Sequence, residues 1–364
     1  MRRRIVTRLT LATVVATSTI ALDLAVATPG QAATCTGGSH CYALDNYGSM
    51  VGGYAPTNAQ GGDLEVDCLS VGNRNTDFID WEMWQPTSQN LSGSYWVEEG
   101  MTAGTVVDGG TGHTGFEWFW ADNRPNGLGY AEHYLGGAST GNYTNVSFYW
   151  QGNANWGVYR GGSQVGTSVG TGANGWGGNA GMESTTTAAT VQGNLHNYQY
   201  EDNHNVWHWV GLDITQPGSG GWARTSGGTG YFAATTGCGA AAKPADYAGA
   251  PLAPAAAPAA LQAIAKQEAV RNGGAAPAGV KYVTSTRKQA AALMNTQLAT
   301  DEPVYVMQLS GTFVGDHAHV PQGNPKPTGT SMIVVVSAAT GKVVDMAISD
   351  HTANLSALGA VSGL

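Results

Sequence analysis

Thr76-Asp77-Phe78-Ile79-Asp80-Trp81-Glu82-Met83-Trp84-Gln85-Pro86 interleaves acidic and aromatic residues at a two-residue period. Two is the period of a β-strand, whose successive side chains point to opposite faces. The pattern predicts a core face of Ile79, Trp81 and Met83 and a second face of Phe78, Asp80, Glu82 and Trp84. Carboxylates beside aromatic rings form a surface suited to a polar, uncharged, flat-faced ligand such as a sugar.

The same texture extends outward from this strand. Between Cys41 and about Ala234, short alternating runs such as 64–71, 94–103, 115–121, 130–135, 181–187 and 192–201 are separated by Gly, Asn, Ser and Thr clusters. None of the region has the period of a long amphipathic helix. Val158-Tyr-Arg-Gly-Gly-Ser-Gln-Val165 is a hairpin signal, because both central glycines can take positive φ. So many short strands predict a mostly β chain, an antiparallel jelly-roll β-sandwich over residues 34–238.

Composition then changes. Residues 239–260 read as an extended Ala/Pro linker, and residues 261–364 as a small α+β module. That module is expected to carry helices at 261–271 and 286–298, the second capped by Ser285, and strands at 304–314, 331–337 and 342–349. Its helix-then-strand order and its Val335-Val-Ser-Ala-Ala-Thr-Gly-Lys-Val343 hairpin resemble the small peptidase-propeptide-like modules of the PepSY type. No functional residue is carried over from that likeness.

Residues 1–33 have the layout of a secretory signal peptide: Arg2, Arg3, Arg4 and Arg8, then an uncharged run from Leu9 to Leu22, then small residues up to Ala33. The expectation is a secreted, extracellular protein. No stretch reaches the roughly 20 apolar residues of a membrane span. Four cysteines, Cys35, Cys41, Cys68 and Cys238, fit an oxidising compartment and allow three pairings. We favour Cys35 with Cys41 and Cys68 with Cys238. Between Thr34 and Cys238, seventeen acidic residues face four arginines and no lysine, and all eleven tryptophans lie in this part. Such a surface repels phosphate backbones, so nucleic acid is not an expected partner. No cofactor or metal is expected.

A second strand, Asn179-Ala-Gly-Met-Glu-Ser-Thr-Thr-Thr187, puts Gly181, Glu183, Thr185 and Thr187 on one face. Phe78-Ile-Asp-Trp-Glu82-Met-Trp84 is similar to the nucleophile strand of the jelly-roll endoglucanases and xylanases, glycoside hydrolase families twelve and eleven. Ala180-Gly-Met-Glu183 resembles the Gly-x-Glu strand that carries their acid/base. The resemblance implies Glu82 and Glu183 as the catalytic pair of a retaining glycoside hydrolase acting on neutral polysaccharide. Two carboxylates about 5–5.5 Å apart support that chemistry. Asp80 would neighbour them, and Trp84, Trp96, Trp118 and Trp120 would be the stacking platforms for substrate.

Other readings compete. The same groove without a catalytic pair would make a non-enzymatic, lectin-like carbohydrate-binding protein. Trp81-Glu82-Met-Trp84-Gln-Pro86 is also similar to the Trp-x-Glu-Trp-x-Pro strand of the glutamic peptidases, a third reading for which the partnering Gln is not identified in the sequence. Glu98 and Glu99 cannot share a face, and Glu132-His133 could extend the cleft. His196, His204 and His208, and the His317-Ala-His319 pair among Pro321, Pro325 and Pro327, are expected to be solvated loop residues.

Overall fold

The computed structural model describes residues 40–47, 56–73, 76–87, 95–104, 116–172, 175–210, 223–226, 232–235, 238, 250–274, 277–321 and 324–364. The leader at 1–33 and Cys35 lie outside these residues. In chain order the first strands are β1 (Cys41–Tyr47), β2 (Pro56–Val71), β3 (Phe78–Pro86), β4 (Trp96–Gly104), β5 (Phe116–Arg124), β6 (Gly129–Gly137) and β7 (Thr144–Gly152). There follow β8 (Asn155–Arg160), β9 (Ser163–Ser168), β10 (Gly175–Trp176), β11 (Gly178–Ser184), β12 (Ala189–Asp202), β13 (Trp207–Trp209), β14 (Ala223–Ser226) and β15 (Phe232–Thr235). The last part holds α1 (Ala257–Arg271), β16 (Ala278–Thr286), α2 (Arg287–Leu293), β17 (Thr296–Leu298), β18 (Pro303–Val314), β19 (Thr328–Ser337), β20 (Val343–Ser349) and β21 (Ser362–Gly363).

These strands form a β-sandwich of two antiparallel sheets. One runs β1-β11-β3-β4-β5-β6-β20-β19-β18-β16-β21; the other runs β14-β15-β12-β2-β7-β8-β9-β17, with β10 beside β2 and β13 beside β12. Between them Ile79, Trp81 and Met83 pack with Val97 and Met101 of β4 and with Leu64, Val66, Phe148 and Val191 of the facing sheet. Burial of each such side chain contributes about 1.5–3 kcal/mol, which is why the two-residue period of β3 fixes its register: a slip of one residue would put the carboxylates in this core.

The C-terminal strands extend the first sheet. β20 pairs with β6, Met346 opposite Glu132 and Ile348 opposite Tyr130. β17 joins the second sheet at β9, Thr296 opposite Ser168. The parts of the chain before and after the Ala/Pro stretch therefore share both sheets.

Three local expectations need correction. The stretch expected as linker to residue 260 already enters α1 at Ala257, with proline in the first turn, a position where a missing N–H costs nothing. Ahead of it, Ala250 and Leu252 donate backbone hydrogen bonds to Thr340 and Ala338. The second helix is capped by Thr286, whose hydroxyl accepts from Gln289 N–H, and it ends at Leu293. Asn295, at φ 56°, turns the chain out of the helix into β17. β16 was not expected from the sequence at all. Among the described residues no helix is long and apolar enough to cross a membrane.

Cys68 and Cys238 form a disulfide across 170 residues. Cys41 is also disulfide-bonded.

Candidate functional site

β3 and β11 are neighbours, and their register sets Glu183 directly opposite Asp80 and Gly181 opposite Glu82. On the other side Gly100 of β4 faces Glu82, and Glu98 faces Trp84. Glu82 is thus flanked by glycine on both adjacent strands. A Cβ on Gly100 would sit 2.3 Å from the Glu82 Cβ, and Gly181 has φ +145° with its missing Cβ directed at Ala43 O. Both glycines leave space that any larger residue would remove.

The outcome is a cluster of buried carboxylates on the sheet face that points away from the sandwich core. Asp80, Glu82, Glu98 and Glu183 are all fully buried. One ligand-type atom from each of Asp80, Glu82, Glu183 and His319 lies within 4.8 Å of the others. These four could hold a metal ion; an ion would compete with the carboxylates that already engage His319.

The cover is the segment 316–320, which follows β18. His319 pairs through Nδ1 with Asp80 and through Nε2 with Glu132 at 2.8 Å. Its ring stacks on Phe119 with centroids 4.0 Å apart. The main chain of the segment is held at four points by side chains of the sandwich. His40 Nε2 contacts Asp316 O at 3.3 Å. Tyr130 hydroxyl accepts from His319 N–H at 3.1 Å. Glu183 accepts from Val320 N–H at 2.9 Å. Tyr42 hydroxyl donates to Val320 O at 2.6 Å. His40 Nδ1 also pairs with Glu183. Ala318 and Val320 belong to the buried apolar cluster that also holds Trp84, Trp96 and Phe119 and Leu261 and Ile264 of α1.

The electrostatics follow from this enclosure. Burial pushes the Glu82 carboxyl well above the usual carboxylate range, and the nearby Asp80, Glu98 and Glu183 push it further. Among the described residues neither Glu82 oxygen has a hydrogen-bond partner. Burial likewise raises Glu98, against the pull of His319. Asp80 is pushed up to about 6 by burial, which the His319 partner only partly offsets. Glu132 moves the other way: burial raises it, but His319 and Tyr134 lower it more. Burial disfavours the His319 imidazolium, yet Asp80 and Glu132 together hold it well above its ordinary value.

Of the residues expected from the sequence, Asp80, Glu82, Glu183, Trp84 and Trp96 share this face or its packing layer. Trp84 and Trp96 are fully buried, so they are wall rather than open platform. Trp118 and Trp120 are a correction: they lie on the opposite face, in the core between the two sheets. The two-residue period of β5 separates them from Glu117, Phe119 and Ala121, and the acidic layer takes Phe119 instead. Glu99 is on that opposite face too, where burial raises its carboxyl against the pull of Arg160. His319 was expected to be solvated and is buried; prolines around it set a loop but not what the loop covers. His40, Tyr42 and Tyr130 had no sequence signal beyond lying on the strand ends. His204 is exposed as expected, and His208 pairs with Asp202 at 2.9 Å.

No family model matches the chain, and no curated protein matches it. Among solved structures, a Scytalido-glutamic peptidase with a peptide-based transition-state analog aligns at a TM-score of 0.34 and 7% identity, covering 54% of this chain and 97% of that one. A native glycosidic hydrolase aligns at a TM-score of 0.23 and 13% identity, covering 43% of this chain and 68% of that one. The chemistry of this site therefore rests on its own geometry.

Proposed function

We propose that this protein is an exported hydrolase working through the Glu82–Glu183 carboxylate pair, that its substrate is a polypeptide, and that the form described here is latent. The observation that carries this reading is the occupant of the site. A stretch of polypeptide, 316–320, lies across the carboxylates and is gripped by its main chain, with an amide N–H on Glu183 and the same residue's carbonyl on Tyr42. Main-chain recognition is what a peptide-cleaving site needs, because it accepts any sequence. The Cys68–Cys238 disulfide supports an exported place of action.

With the segment displaced, Glu183 takes a proton from a water whose oxygen attacks the peptide carbonyl. Glu82, the carboxyl that burial and its acidic neighbours push well above the usual range, acts in its protonated form and donates to the carbonyl oxygen as its π pair moves there. On collapse the C–N bond breaks, the leaving amine takes the proton from Glu183, and a hydroxyl proton of the diol returns to Glu82. Both carboxyl groups end as they began.

A second reading is favoured by the proximity of the two carboxylates. An oxygen of Glu82 and an oxygen of Glu183 lie within 4.8 Å of each other, so the pair is near enough for retaining glycoside cleavage, which uses carboxylates about 5–5.5 Å apart, and Trp84 and Trp96 stand in the same layer. In that case Glu82 is the nucleophile, Glu183 the acid/base and a neutral polysaccharide the substrate. One assay separates the two: full-length wild type and His319→Ala are incubated between pH 4 and 7 with a denatured protein and with a β-glucan and a xylan. New amino termini support the peptidase; new reducing ends support the glycosidase. Neither product, from either protein, counts against a hydrolase.

A further inference from the structure

The outer face of the second sheet carries a trough that the acidic site does not use. β13, β12, β2 and β7 lie side by side, which brings Trp207 into one row with Glu201, Ala59 and Tyr149. Trp207 and Tyr149 meet edge to face with centroids 6.2 Å apart, above Ala59. Both rings are unusually open to solvent for their size, at 41% and 38% exposure. They wall one end of a trough of about 280 Å³. Its floor is low because Gly61 and Ser147 are paired there. A Cβ on Gly61 would stand 3.0 Å from the Ser147 Cβ. At the other end Asp63 accepts hydrogen bonds from the amides of Asn145 at 3.0 Å and Asn197 at 2.7 Å.

We propose that this trough is a binding site for a neutral glycan chain. Three features select that ligand. Among the described residues no Lys, Arg or His lines the trough, so nothing they offer there favours phosphate, sulfate or uronate. β12, β2 and β7, which floor the trough, pair with a neighbour on either side, so a peptide cannot add on there as an extra strand; β13, at the rim, pairs with β12 alone among the described residues. What remains on offer is ring faces for the C–H faces of sugars and a carboxylate–amide group whose remaining donors and acceptors match hydroxyls. The volume lies just below the range of about 300–1,000 Å³ typical of small-ligand clefts, which suits a short stretch of an oligomer. The site is on the opposite sheet from the Glu82–Glu183 cluster and does not depend on the reading of that cluster.

The test is affinity electrophoresis and tryptophan-fluorescence titration of the full-length protein with a soluble β-glucan and a neutral arabinoxylan. Polygalacturonate, an unrelated decapeptide and buffer alone serve as the other arms. Retardation by a neutral polysaccharide is expected, with Trp207→Ala and Tyr149→Ala each raising the apparent Kd at least tenfold. Both side chains are at the surface, so unchanged thermal unfolding shows that the fold is intact. A third variant, Ser147→Tyr, fills the floor and leaves Trp207 and Tyr149 in place, and is expected to abolish binding. The proposal is overturned if no neutral glycan binds, if binding survives all three variants, or if only polygalacturonate or the peptide binds. It is also overturned if these variants instead abolish a concentration-dependent dimer, which would make the face a contact between copies.

Discussion

Val320 donates its backbone N–H to Glu183, 2.9 Å from Oε2 and 3.2 Å from Oε1. A residue near the C-terminal end of the chain thereby ties down a carboxylate of the sandwich 137 positions earlier. A hydrogen bond to a charged group is worth about 1.5–3 kcal/mol, and the Val320 amide should exchange with solvent slowly. In Glu183→Ala that exchange is expected to accelerate at least tenfold, whereas the Val335 amide, deep in β19, should change much less. Hydrogen exchange read by mass spectrometry decides this. Equal acceleration throughout would mean global destabilisation rather than a released cover.

Glu82→Gln should change the pH dependence of stability. The folded-state value of Glu82 lies above its ordinary 4.5 because of burial and then its acidic neighbours. Its contribution is therefore fully present below about 4.5 and is lost as pH rises towards the folded value. Wild type and Glu82→Gln should be about equally stable at pH 4, and the variant should be the more stable at pH 8. Denaturant melts at the two pH values measure this, and a variant less stable at pH 8 would show that Glu82 has a partner.

The alternation in β3 was enough to assign its two faces, because one core face had to be apolar. The same logic placed Glu183 on the acidic face with Glu82. It could not reveal that Trp118 and Trp120 turn inward: tryptophan suits a core or a groove equally well, and only the register of β4 with β5 decides which. Nor could it foresee that β20 would join β6, since an edge-to-edge strand pairing leaves no mark in the composition of either partner. His319 illustrates the hardest case. Nothing near it in sequence is acidic except Asp316, and the carboxylates that bury it, Asp80 and Glu132, come from β3 and β6.

His319→Ala removes the cation shared by Asp80 and Glu132 and leaves a buried carboxylate without its counter-charge. Loss of one partner of such a pair costs about 3–5 kcal/mol. Asp80→Asn in the same background should recover part of this cost, because it removes the stranded charge. The double-mutant cycle should show a coupling above about 1 kcal/mol. The pH sign also follows. His319 titrates above 6.5 in the folded protein, so its contribution is present below 6.5 and fades as pH rises through the folded value. Additive single effects would contradict the contact.

Trp120→Ala should cost about 3–5 kcal/mol, since the ring fills the space between the sheets. Binding and turnover by the surviving folded fraction should stay unchanged. A specific loss of substrate affinity without loss of stability would return Trp120 to the site.

The account depends most on the acidic pair being a hydrolytic site under a removable cover. The most direct measurement is the appearance of new amino termini, followed by mass spectrometry, when full-length His319→Ala is incubated with a denatured protein at pH 4–6. Cleavage by this variant that exceeds wild type, and that disappears in His319→Ala/Glu82→Gln and His319→Ala/Glu183→Gln, is the predicted result. Cleavage that persists when either carboxylate is replaced, or its absence from a folded His319→Ala protein, would contradict the account.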